Sequence, residues 1–130
     1  MTTTETTALE TSPSPAKVAH VIDTYFAAWN EADPAKRLDL VAASFTDECH
    51  YVDPLSDVTG HAGVVEMMEG VRAQFVGASL QQTGEIDAHH HLARFPWSAT
   101  GADGAVIVAG IDVVVLATDG RISALAGFFG

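Results

Sequence analysis

The sequence predicts an α+β domain in which three helices pack on one face of a curved antiparallel sheet. Apolar residues in the first half of the chain recur at spacings of three and four. From about residue 80 the pattern changes to β-type runs, and two Asp-Gly pairs separate those runs where tight hairpins are expected. Helices followed by consecutive strands leave the helices on one side of the sheet.

The chain from Met1 to Pro15 is rich in threonine, carries Glu5 and Glu10, and lacks the basic start and apolar stretch of a secretory signal. Residues 1–15 are therefore expected to be a disordered leader, and residues 16–130 a single domain. Pro13 and Pro15 end the leader. Val18, Val21, Ile22, Tyr25, Phe26 and Trp29 then form the stripe of an amphipathic first helix. Asp33 is a good N-cap with Pro34 at the first helical position, and Leu38, Val41, Ala42 and Phe45 repeat the pattern, so a second helix is expected to end near Thr46.

Cys49 to Asp53 reads as a short strand closed by Pro54, with Cys49, Tyr51 and Asp53 on one face and His50 turned outward. Leu55 to Gly60 reads as a loop. From His61, the residues Val64, Val65, Met67, Met68, Val71 and Phe75 predict a third helix that stops at Gly77, with Glu66 and Glu69 on its solvated side. The β-type runs that follow are Leu80 to His90, Leu92 to Thr100, Ala105 to Thr118 and Arg121 to Phe129, in an antiparallel meander. In the third run Val106, Val108, Gly110, Asp112, Val114 and Leu116 share one face, yet the other face, with Ile107, Ala109, Ile111, Val113 and Val115, is equally apolar. Helices cover only one side of such a sheet, so a second copy of the chain is expected to cover the convex side and form a homodimer.

The 130 residues suit one core and one modest pocket, with no room for a separate cofactor domain, and 48% hydrophobic content is normal for a globular chain. Six Lys and Arg against seventeen Asp and Glu give a formal charge of -11, which argues against nucleic acid or an anionic membrane surface as partner. The longest apolar stretch, Ala105 to Ala117, is interrupted by Gly110 and Asp112 and is too short to span a bilayer. The single cysteine, Cys49, allows no internal disulfide and fits a cytoplasmic, reducing compartment as a small buried residue.

Asp112 is the most anomalous residue, a carboxyl group among Ile111, Val113, Val114 and Val115. Such a group either finds donors or stays protonated with a raised pKa, and a purely structural bond to a neighbour satisfies it equally well. Asp53, before Pro54, suits a turn as well as a catalytic base. Tyr25 lies on the stripe of the first helix, where a core aromatic with a bonded hydroxyl is the plain alternative. Consecutive residues of a strand face opposite ways, so at most His89 and His91 of the run His89, His90 and His91 could share a metal; no third ligand stands at a recognisable spacing, and they read as edge or pocket-rim residues. No metal and no cofactor is expected. Serine-hydrolase elbows and phosphate loops are absent from the sequence.

Several local motifs resemble the nuclear transport factor 2-like superfamily, in its SnoaL-like branch of polyketide cyclases and ketosteroid isomerases. They are the helix Tyr25-Phe26-Ala27-Ala28-Trp29-Asn30, the strand end Tyr51-Val52-Asp53-Pro54, the helix entry Gly60-His61, and the final hairpin around Ile111-Asp112-Val113 and Asp119-Gly120-Arg121-Ile122. The resemblance spans Ala16 to Phe129 and implies a cone-shaped fold around an apolar pocket for a small hydrophobic molecule. It implies Asp53 as the proton-shuttling carboxylate, and Tyr25 with a protonated Asp112 as donors to an enolate oxygen. Trp29, Phe45, Tyr51, Met68, Trp97, Val108 and Phe128 are the expected pocket walls. Where some relatives brace the donor pair with further tyrosines, this chain has Phe45 and Met68, which shortens the hydrogen-bond chain. The implied activity is isomerase or cyclase chemistry by side chains alone; the alternatives are a non-catalytic binding module and an epoxide hydrolase, for which Arg94 would supply the arginine.

Overall fold

The computed structural model describes residues 12–130. Most of the expected leader, residues 1–11, lies outside the described residues. Its last residues belong to the domain: the Ser14 hydroxyl accepts from Lys17 N at 3.2 Å and caps α1 (Pro15–Asn30). Helix α2 (Pro34–Ser44) starts as expected, with Asp33 Oδ1 accepting from Ala35 N at 2.9 Å and Pro34 at the first position. It ends at Ser44 rather than near Thr46 because Phe45 is already extended and opens β1 (Phe45–Asp53).

The segment read as a loop contains a short edge strand, β2 (Ser56–Thr59), which pairs back on β1 with Asp53 opposite Ser56. Pro54 and Leu55 are thus the loop of a tight hairpin. Helix α3 (Gly60–Gln74) follows, and its entry is held by His61, whose Nε2–H donates to the carbonyl of Phe45 at 2.8 Å. The segment read as one strand from Leu80 is two, β3 (Ser79–Gln82) and β4 (Asp87–His89). They pair with opposite ends of β5 (Leu92–Thr100), and the break falls at Pro96. The Pro96 carbonyl accepts from Thr83 N, but its ring nitrogen, directed to the same side, has no hydrogen to give, so the ladder on that edge cannot continue. β6 (Val106–Leu116) and β7 (Ile122–Phe129) complete the sheet.

The seven-stranded sheet runs β2-β1-β7-β6-β5-β3, with β4 beside β5. Every pair is antiparallel except β1 with β7, which is parallel, so the sheet is mixed. Consecutive hairpins cannot produce that pair; it forms because β2 and α3 separate β1 from the meander and let the last strand close against the first.

The helices cover the concave face. Tyr25 is the centre of an aromatic cluster with Phe26, Phe45 and Phe95, all edge-on, with Tyr25–Phe45 centroids 5.8 Å apart and Tyr25–Phe95 6.0 Å. Buried Arg37 on α2 donates to Glu69 on α3 at 3.2 Å and to the Glu31 carbonyl, tying α2 to its neighbours. Glu69, read as a solvated residue, thus carries the counter-charge of a buried guanidinium. On the convex face Leu92, Ile111, Val115 and Phe128 remain exposed. Among the described residues no helix is long and apolar enough to cross a membrane.

Candidate functional site

Between the helices and the concave face lies a cavity of about 320 Å³. Its sheet floor is set by the cross-strand register. Asp112 on β6 stands opposite Gly127 on β7, and the β1–β7 register, with Val52 opposite Ala126, brings Asp53 beside the same glycine. The two residues thus occupy one row, their backbones two strand spacings or about 10 Å apart across the sheet. Gly127 is the gap between them: a Cβ there would lie 2.9 Å from Asp112 Oδ1 and 3.1 Å from Asp53 Cβ. One row away, Gly110 makes the same allowance for Trp97. A Cβ on Gly110 would meet the Phe128 carbonyl oxygen at 2.0 Å and the indole at 2.8 Å, and across this glycine Trp97 meets the ring of Phe129 at 5.9 Å.

Helix α1 delivers Tyr25 to this floor. Its hydroxyl donates to Asp112 Oδ2 at 2.8 Å, and both side chains are buried, Asp112 being 3% exposed. Burial pushes the Asp112 carboxyl up to about 7, against the pull of the Tyr25 donor and of the nearby Trp97 indole and with a further push from Asp53. Both protonation states of Asp112 are therefore populated near neutral pH. Burial, then the Asp112 carboxylate and Tyr51, hold the Tyr25 phenol well above its usual range. The Tyr51 phenol is likewise held well above its usual range, by burial first and then by Asp53.

Asp53 is held locally. Its Oδ2 accepts from the Tyr51 hydroxyl at 2.6 Å and its Oδ1 from Leu55 N at 2.9 Å, an Asx turn that fixes the carboxylate at the cavity edge. Two donors remain unused. The indole N–H groups of Trp29 and Trp97 are buried without a hydrogen-bond partner; that of Trp97 is near enough to Asp112 to favour its charged form, but not in bonding geometry. Both indoles belong to residues that line the cavity, and the Trp29 indole is near enough to Tyr25 to oppose the rise of its phenol.

Tyr25, Asp53 and Asp112 therefore line one cavity, joined by Trp29, Tyr51, Trp97 and Val108 from the expected walls. Three expected wall residues do not line it. Phe45 and Met68 are completely buried in the core, Phe45 behind Tyr25, and Phe128 is 59% exposed because it pairs with Ile111 on the convex face. Phe129, next along the strand, takes its place. Arg94 is also on the far side, with its side chain 68% exposed and bonded to Asp87 at 2.9 Å, so it supplies no arginine to the cavity. His89 and His90 meet edge-on at 5.4 Å where β4 turns into β5, away from the cavity, and among the described residues no three metal-ligating side chains cluster.

Sequence reading overlooked Arg72 and Phe75, which line the cavity from α3 and its C-terminal end, and Leu80, which lines it from β3. Val64, Met68 and Arg72 stand four residues apart on α3, the first two fully buried, so a cation continuing an inward row was the available signal. It overlooked Gly127 as well, whose meaning depends on strand register.

The pattern of the SnoaL-like domain matches residues 22–125. Among solved structures, a proposed isomerase of the SnoaL-like family from Agrobacterium tumefaciens is 36% identical, covering 88% of this chain and 98% of that one, with a TM-score of 0.84. A nuclear transport factor 2-like protein from an Exiguobacterium species is 22% identical over 85% of this chain and 98% of its own, with a TM-score of 0.67. A proposed SnoaL-like polyketide cyclase from a Jannaschia species is 14% identical over 90% and 89%, with a TM-score of 0.73, a likeness of fold. Among curated proteins, none matches the chain.

Proposed function

This chain belongs to the SnoaL-like domain family, and on that premise we propose that it moves a proton next to the carbonyl of a small apolar compound. Asp53 takes the proton from the carbon α to the carbonyl, and the enolate oxygen is received at the Tyr25–Asp112 pair. The reading rests above all on the buried 2.8 Å bond between Tyr25 and Asp112 in the cavity that Asp53 also lines. A neutral Asp112 has a proton to share with the developing oxyanion, and its pKa of about 7 makes that form available at physiological pH. The unpartnered indole N–H groups add donors for the same oxygen or its neighbours. Return of the proton to another carbon gives isomerisation, and attack of the enolate on a second carbonyl of the substrate gives ring closure.

Exchange of the α-protons of an aryl ketone in deuterium oxide, followed by NMR, tests the reading. Asp53→Asn should slow the protein-dependent exchange about 10²- to 10⁴-fold; undiminished exchange in that variant removes Asp53 as base.

One observation favours a binding module instead: both Asp53 oxygens already accept hydrogen bonds from the protein. On that reading the acids only orient a guest, wild type binds the ketone without exchange, and Asp53→Asn leaves affinity unchanged. We also propose that a second copy covers the convex face, where Leu92, Ile111, Val115 and Phe128 form an exposed apolar surface on a chain otherwise rich in acids. The buried lone thiol of Cys49 suits a cytoplasmic site of action.

A further inference from the structure

We propose that the ligand carries a carboxylate, and that Arg72 on the helical wall of the cavity binds it. The inference rests on the cavity being the ligand site, and it adds the chemical class: an apolar keto acid, with its carbonyl at the sheet floor and its acid at the helices.

The four arginines of the chain differ in one respect. Arg37 is paired with Glu69, Arg94 with Asp87, and Arg121 with Asp119, each within 3.2 Å. Arg72 has no carboxylate partner among the described residues, although the chain has seventeen acids to offer. Its one hydrogen bond runs from Nη1 to the carbonyl of Trp29 at 2.9 Å, at the end of α1. That bond fixes the guanidinium against the cavity wall and leaves the donors of Nε and Nη2 uncommitted, a planar fork that matches the two oxygens of a carboxylate.

The charge also stands where a cation is costly. Arg72 is half-buried, and its neighbours on the cavity wall include Val71, Phe75 and Leu80. A guanidinium retained in such a lining without a counter-ion is least costly when the ligand brings the counter-ion. Asp53 and Asp112 enter from the sheet and Arg72 from a helix, so the acids and the cation stand on different walls of the cavity. An anionic end is repelled from the floor and held at the wall, which orients the carbonyl toward Tyr25 and Asp112.

The probe pair is β-benzoylpropionate, an aryl keto acid, and its neutral primary amide. The chain's two tryptophans, Trp29 and Trp97, both line the cavity, so their fluorescence reports occupancy without a label. Wild type should bind the acid about 10- to 100-fold more tightly than the amide, the range of a charge-assisted bidentate contact. Arg72→Gln should bring that ratio to about one while leaving amide affinity in place, and Arg72→Lys should restore part of the preference. Equal affinities in wild type, or a preference that survives Arg72→Gln, overturn the proposal. If Arg72→Gln also loses the amide, the salt dependence of the wild-type ratio decides: a ratio that falls with added salt supports the pairing, and a constant one overturns it. Deuterium exchange of the probe's α-protons, read in the same samples, separates the two readings. Preference for the acid without exchange leaves Arg72 standing and removes the catalytic base, while exchange of acid and amide bound equally well does the reverse.

Discussion

The hydroxyl of Tyr25 donates to Asp112 across 2.8 Å, joining residues 87 positions apart in the chain inside the protein's core. Each residue has an ordinary explanation alone. Together they place a hydroxyl and a carboxyl of comparable burial at the floor of one cavity, where the protonation of Asp112 controls what the pair can donate.

That protonation should be visible in stability. The folded state holds the Asp112 proton to about pH 7, whereas the unfolded chain releases it near 3.8, so between those values the folded state binds more protons and stability falls as pH rises. The contribution is fully present below about pH 3.8 and lost through about pH 7, to a limit of about 4 kcal/mol. Urea unfolding of wild type and Asp112→Asn from pH 4 to 8 should therefore give curves that separate as pH rises, in favour of the variant. Parallel curves would show that Asp112 titrates normally.

Tyr25→Phe should raise the Asp112 pKa further, because the hydroxyl is the principal group favouring the charged form. Carbon-13 NMR of labelled aspartate carboxyls reads this directly. The variant should also cost about 1–3 kcal/mol, the penalty for leaving a buried acceptor without its donor.

Gly127→Ala should destabilise the fold by about 1–3 kcal/mol and abolish proton exchange, because the new methyl group presses on Asp112 Oδ1 and Asp53 Cβ from either side. Gly70→Ala is the control. It lies within α3 with nothing within 4 Å of the added carbon, and should stabilise by about 1 kcal/mol from helix propensity. Thermal unfolding of the two variants gives opposite shifts if the gap at Gly127 is required.

Glu69→Gln removes the counter-charge of buried Arg37 while keeping the side chain's shape. The expected loss is about 1–2 kcal/mol, less than for a fully buried pair because the Glu69 side chain is 41% exposed. Denaturant midpoints at low and high salt check it, with the larger loss at low salt.

Ile111→Glu, on the convex face, should shift a wild-type dimer to monomer in sedimentation equilibrium without loss of helical signal. A wild-type chain that sediments as a monomer at all concentrations removes the second copy.

The helices and the inward face of β6 were legible in the amino-acid order. Ser14, Pro15, Asp33 and Pro34 are start signals that act within one turn, and the alternation that buries Asp112 and Val114 while exposing Ile111 and Val115 follows from the pleat of a single strand. The order of residues also singled out Tyr25, Asp53 and Asp112, since an acid among valines is anomalous wherever the strand comes to lie. Which of their surroundings matter depended on the folded chain. Parity along β7 sends Phe128 outward and Phe129 inward, and that parity is set by pairing with β6 rather than by the residues' own pattern, so sequence chose the wrong phenylalanine. Phe45 and Met68 are apolar wherever they go, and only helix packing placed them in the core behind the cavity. Gly127 acquires its role from a parallel strand pair between distant segments, and Arg72 from having only the Trp29 carbonyl, and no acid, to bond among the described residues. Local signals act over a few residues, whereas a cavity is a property of surfaces brought together across the whole chain.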